Sequence, residues 1–214
     1  MLRYLAHPTQ LLGVVVAVVL GLLGHNLAQA YAARALGDQG PLRQGYGTPN
    51  PQRHLEALGV VAALLAYHGW TFAAPVPIEA RFRRQRSRAT VALLCGPAFL
   101  LLLTFAAVAL LRATSQGRVA EGALAAAITA AGLLIMSLLP IPPLTGGRVL
   151  FLYAPTSPGW QRARYQLTET QTGALIALAI LLVPVVFQGL PDIVNQLAAP
   201  VLRAVGQVVG VPFA

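Results

Sequence analysis

Three polar side chains, His25, Asn26 and Gln29, interrupt an otherwise apolar run, GLLGHNLAQA at residues 21–30. On a helix, positions i and i+4 share a face, so His25 and Gln29 project together and Asn26 lies one step round. That is the spacing of a His-Glu-x-x-His zinc helix, in which two histidines hold the metal and the glutamate acts as general base. Here the pattern reads His-Asn-x-x-Gln. Gln29 offers a neutral amide and Asn26 cannot accept a proton, so the spacing is kept while the donors differ. A second stretch rich in Pro and Gly, SLLPIPPLTGGRVL at residues 137–150, supplies the hydroxyl of Thr145, followed by Gly146 and Gly147.

The elements that must position these groups are membrane helices. The chain has 214 residues, 57% hydrophobic and 10% charged, with a mean hydropathy of +0.68. That balance lies outside the soluble globular range and predicts an integral membrane protein. Apolar runs long enough to cross a bilayer core of about 30 Å are expected at 11–33, 91–111, 122–144 and 172–190. A shorter run within 57–78 ends in the breaker-rich GWTFAAPVPI, whose Pro75 and Pro77 favour extended backbone. It either re-enters or spans, and the re-entrant reading is preferred. In that case Arg34, Arg43, Arg53, the cluster RFRRQRSR at 81–88, Arg148, Arg162 and Arg164 gather on one side, as the positive-inside rule requires. The loop 35–56 is expected to be irregular or to hold short strands. Residues 161–171 read as a short surface helix, and 193–213 as an interfacial helix bent at Pro200. The whole of 1–214 is read as a single membrane domain.

The net charge of +9 does not imply nucleic-acid binding, because the arginines flank apolar runs instead of forming a separate basic surface. Cys95 has no second cysteine with which to form an intramolecular disulfide. Arg3, the run 11–23 and the Ala28-Gln29-Ala30 triplet imitate a secretory signal; the segment is read as a retained transmembrane helix. The 81–88 cluster is read as a topology anchor, with anionic headgroups or an acidic partner as alternatives. Trp70, Trp160 and Tyr165 read as interfacial aromatics.

The segment SLLPIPPLTGGRVL resembles the Asn-x-x-Pro-x-Pro-x-Leu-Asp-Gly element of the intramembrane site-2 metalloproteases. Further similarities follow in that family's order: ALGDQGPLRQG at 35–45, NPQRHLEALG at 50–59, GW at 69–70 leading to PVPI at 75–78, and CGP at 95–97. Together they cover most of residues 20–155. The resemblance implies an all-α polytopic fold with a core of three transmembrane helices. One carries the zinc histidines, one a Gly-Pro element, and one the aspartate that is the third zinc ligand, with the metal inside the bilayer towards the cytoplasm. The matching positions are His25, Asn26 and Gln29, then Gly96 and Pro97, then Thr145, Gly146 and Gly147. Thr145 stands where the family has its aspartate, Ser137 where it has an asparagine ahead of the prolines, and Leu100 where an asparagine often follows the Gly-Pro element.

Catalytic zinc takes three ligands of histidine, carboxylate or thiolate type plus a water. The expectation is therefore a degenerate member with His25, Asn26, Gln29 and Thr145 at the former site, no catalytic residues, no metal and no cofactor: not an enzyme. These four are expected to hydrogen-bond one another across the helices. A metal site rebuilt from His54 or His68, and a haem-axial role for His25, are the alternatives weighed against buried or interfacial histidines; His7 precedes the first span. The functional expectation is an accessory subunit of a larger membrane complex, partnered by other integral membrane proteins and the bilayer and not by nucleic acid. The alternatives are a regulator that grips a client transmembrane helix without cutting it, and an active protease with unconventional ligands. The expected location is a bacterial cytoplasmic membrane, with the site loops facing the cytoplasm.

Overall fold

A computed structural model describes residues 1–114, 116–187 and 190–213, apart from the side chains of residues 3, 80 and 169. In chain order its helices are α1 Pro8–Ala35, α2 Gly40–Arg43, α3 Pro51–His54, α4 Ala57–Leu65, α5 Ala80–Arg83, α6 Arg86–Thr114, α7 Arg118–Leu138, α8 Thr145–Tyr153, α9 Pro158–Glu169, α10 Thr172–Val186 and α11 Ile193–Val209. Among the described residues there are no strands. The chain is an all-α polytopic membrane protein, as expected. Among the described residues three helices, α1, α6 and α7, are by length and composition able to cross a membrane, or four if the bent pair α9–α10 makes one span.

The helices α1, α6 and α7 form the core that holds the polar residues. Pro8 begins α1, where its missing N–H costs nothing because the first turn has no acceptor for it. Its buried residues recur every three or four positions: Val14, Ala17, Val18, Gly21, Leu22, His25, Asn26, Gln29, Ala30 and Ala33. In lipid, apolar burial does not draw helices together, so close backbone approach and interhelical hydrogen bonds must. Gly13 shows the approach: a β-carbon there would lie 2.1 Å from the Gly122 carbonyl oxygen of α7. Higher up, Val18, Leu22, Leu100, Leu133 and Leu134 close one apolar cluster between the three helices.

α7 stops at Leu138, short of the expected 144. Leu139 turns to φ −56°, ψ 139° because the ring of Pro140 disfavours helical backbone in the residue before it. The bend through the prolines then delivers Thr145 as the first residue of α8. α4 has 9 residues, about 13 Å of helix, less than half the bilayer core. After it the chain turns at His68, with φ 54°, and continues without helix to Glu79.

That extended stretch corrects the reading of Trp70. It is 1% exposed, not interfacial, and its indole Nε1 donates to the Ile128 carbonyl of α7 at 3.3 Å. In the 35–56 loop α2 and α3 take the place of short strands, and one isolated bridge joins Leu55 to Ala73. The Asp38 carboxylate pins the loop by accepting from the backbone N–H groups of Gly40 and Glu79.

α9 and α10 meet at a bend of 65°. Residues 188 and 189 of the expected last span lie outside the described residues. α11 buries Val194, Ala198, Leu202 and Val205, and its apolar face packs with Ala107, Val108, Ala127 and Ala131 of α6 and α7. It is therefore docked on the bundle along this face.

Candidate functional site

Four elements bring the polar residues together. α1 carries His25, Asn26 and Gln29, α8 begins with Thr145, α6 contributes its backbone at Leu93 and Gly96, and the extended stretch contributes the Ala74 carbonyl. Gln29 is 2% exposed and Asn26 fully buried.

The hydrogen bonds form a chain whose direction is set by two carbonyl ends. The amide Nδ2 of Asn26 donates to the Ala74 carbonyl at 2.9 Å, which leaves its Oδ1 to accept from His25 Nδ1 at 3.0 Å. His25 Nε2 is then the lone-pair nitrogen of a neutral ring, and the Thr145 hydroxyl donates to it across 3.2 Å. Gln29 Nε2 donates to Thr145 Oγ1 at 2.9 Å and to the Leu93 carbonyl at 2.9 Å. The four positions expected to meet across the helices do so.

The Leu93 carbonyl is the partner that side-chain reasoning missed, although its signal is present in the sequence. Pro97 lies inside α6 and has no N–H, so the carbonyl four residues earlier loses its helical donor. An unsatisfied carbonyl in a bilayer costs several kcal/mol, and the Gln29 amide answers it. Gly96 makes room, since a β-carbon there would lie 2.7 Å from both Gln29 Nε2 and His25 Nε2. Gln29 Oε1 is buried without a hydrogen-bond partner among the described residues.

The cavity beside these groups is small, about 20 Å³, and is also lined by Leu100, Ser137 and Arg148. It has room for about one water molecule. Ser137 turns its hydroxyl back to the Leu134 carbonyl at 2.7 Å. Arg148 supplies the charged group of the lining and donates to the Val76 carbonyl. Burial, and then the Arg83 guanidinium, lower its pKa to about 10, with Tyr46 acting in the opposite direction; it is cationic at neutral pH.

The other histidines stand elsewhere. His54 is buried and donates from Nε2 to the Thr48 carbonyl at 2.8 Å. His68 Nδ1 meets the Tyr4 hydroxyl at 2.6 Å, and its ring lies 5.0 Å from that of Trp70. Among the described residues, no group of three or more His, Cys, Asp and Glu side chains comes together.

A three-helix membrane core with a buried polar cluster at the meeting of α1, α6 and α8 defines a polytopic helical membrane protein. A Bacillus subtilis (strain 168) protein named "Putative zinc metalloprotease YwhC" is 30% identical over 195 residues, covering 85% of this chain and 85% of that protein. The chain belongs to this family, the site-2 protease-like membrane proteins. No family model matches it. No solved structure matches it either. The relative corrects one expectation: its name points to an enzyme, so the reading of the chain as a non-enzyme, which rested on residue types at four positions, is overturned.

Proposed function

We propose that the chain serves as a structural, accessory subunit of a larger membrane-protein assembly, in which the polar cluster clasps the core helices. The observation that carries this reading is the hydrogen-bond chain from Ala74 to Leu93, in which the groups at the family's site positions, Gln29 Oε1 apart, are paired with one another or with backbone carbonyls. The imidazole lone pair of His25 accepts from Thr145, and the Gln29 Nε2 hydrogens go to Leu93 and Thr145. A zinc ion does not fit this donor set, because zinc is held by imidazole, carboxylate or thiolate, and an amide and a hydroxyl stand beside the single imidazole. The small volume of the cavity, about 20 Å³, favours a packed subunit over a groove that grips a client helix. The arginine distribution supports site loops on the cytoplasmic face of a bacterial membrane.

Native mass spectrometry of the detergent-extracted assembly tests the proposal. One stoichiometric integral-membrane partner is expected; a solitary monomer would overturn it. A second reading comes from the relative, whose name and 30% identity favour metal-dependent hydrolysis of a peptide bond. Elemental analysis separates the two. About one zinc per chain, abolished by His25→Ala together with cleavage of a membrane peptide, would establish the hydrolytic reading.

A further inference from the structure

A second, larger cavity lies outside the polar site. It is a cleft of about 670 Å³ between the extended stretch, the start of α6, and helices α8 and α9. Five arginines from four parts of the chain line it, Arg83, Arg84, Arg86, Arg148 and Arg164, and among the described residues no Asp or Glu does. Within the chain the side chains of Arg83, Arg84 and Arg164 make no hydrogen bond or ion pair among the described residues, whereas Arg86 sits over the Tyr153 ring at 5.9 Å. The rest of the lining is largely apolar, with the half-buried Ile78, Phe151 and Leu152 among it.

On α8 the half-buried Phe151 and Leu152 follow Arg148 by one turn, about 5 Å along the axis. A cationic rim beside an apolar wall matches a lipid's phosphate and the first part of its chains. Guanidinium groups take phosphate oxygens in pairs of parallel hydrogen bonds, and arginines at a bilayer surface attract anionic headgroups.

We infer that this cleft is a binding site for one anionic phospholipid, its phosphate held by Arg83, Arg84 and Arg164 and its acyl chains laid against Phe151 and Leu152. The inference does not depend on the accessory-subunit reading.

Native mass spectrometry of the full chain in neutral detergent, titrated with dioleoylphosphatidylglycerol or dioleoylphosphatidylcholine, tests it. The anionic lipid is expected to be retained at one per chain and the zwitterionic one not. The triple variant R83Q/R84Q/R164Q is expected to weaken retention roughly tenfold or more. The control R34Q/R43Q/R53Q removes the same charge away from the cleft and should leave retention unchanged. If the triple variant loses helicity, Arg164→Gln alone, on the exposed face of α9, should still weaken retention about threefold. Equal retention of both lipids, equal loss in the control, or displacement of the lipid by millimolar inorganic phosphate would each overturn the assignment.

Discussion

Gln29 is explained by a proline on another helix. Pro97 withdraws a donor from the Leu93 carbonyl and Gln29 replaces it, so the two residues should be energetically coupled. Gln29→Leu is expected to cost about 1–2 kcal/mol in the native background. In a Pro97→Ala background, where the backbone N–H is restored, the cost should be smaller. Thermal unfolding of the four proteins in detergent measures the cycle; additive effects within about 0.5 kcal/mol would show that Gln29 does not serve this carbonyl. Gly96→Ala should cost about 1–3 kcal/mol by overpacking, because its β-carbon meets Gln29 and His25. Gly159→Ala, where a β-carbon meets nothing within 4 Å, is the near-neutral comparison.

At the scale of elements, the extended stretch after α4 is a wall of the core and not a surface loop. Trp70 joins the cluster made with Ala62, Met136, Ala177 and Leu181 from α4, α7 and α10. Trp70→Ala is therefore expected to destabilise by about 3–5 kcal/mol, where an interfacial tryptophan would be replaced at little cost. In a Trp160→Phe background Trp70 fluorescence should be blue-shifted and insensitive to aqueous quencher; a red-shifted, quenchable emission would return it to the interface.

For the whole molecule the number of crossings turns on the course of α9 and α10. α10 spans 15 residues, about 22 Å, shorter than the bilayer core, and it packs on α4 within the apolar cluster. If the bent pair serves as a fourth crossing, cysteines placed at Thr156 and Asp192 in a Cys95→Ser background should label from opposite sides of sealed vesicles with a membrane-impermeant reagent. Labelling from one side would reduce the chain to three crossings.

The amino-acid sequence by itself determined the bilayer as solvent, the long helices α1, α6 and α7, and the face of α1 that carries His25 and Gln29. These follow from local composition: in lipid a long apolar run satisfies its backbone only as a helix, and helical period then dictates which residues share a face. Tertiary structure decided the partners. Thr145 stands 116 residues from Gln29 and Leu93 stands 64 away, and a backbone carbonyl carries no mark in the sequence beyond the proline that frees it. The same distance hid the burial of Trp70, whose neighbours come from helices on both sides of it in the chain. Composition announces that such groups need partners. Which group answers is set by how closely the helices can approach, and that depends on the glycines at their crossings and on the prolines that bend the chain between them.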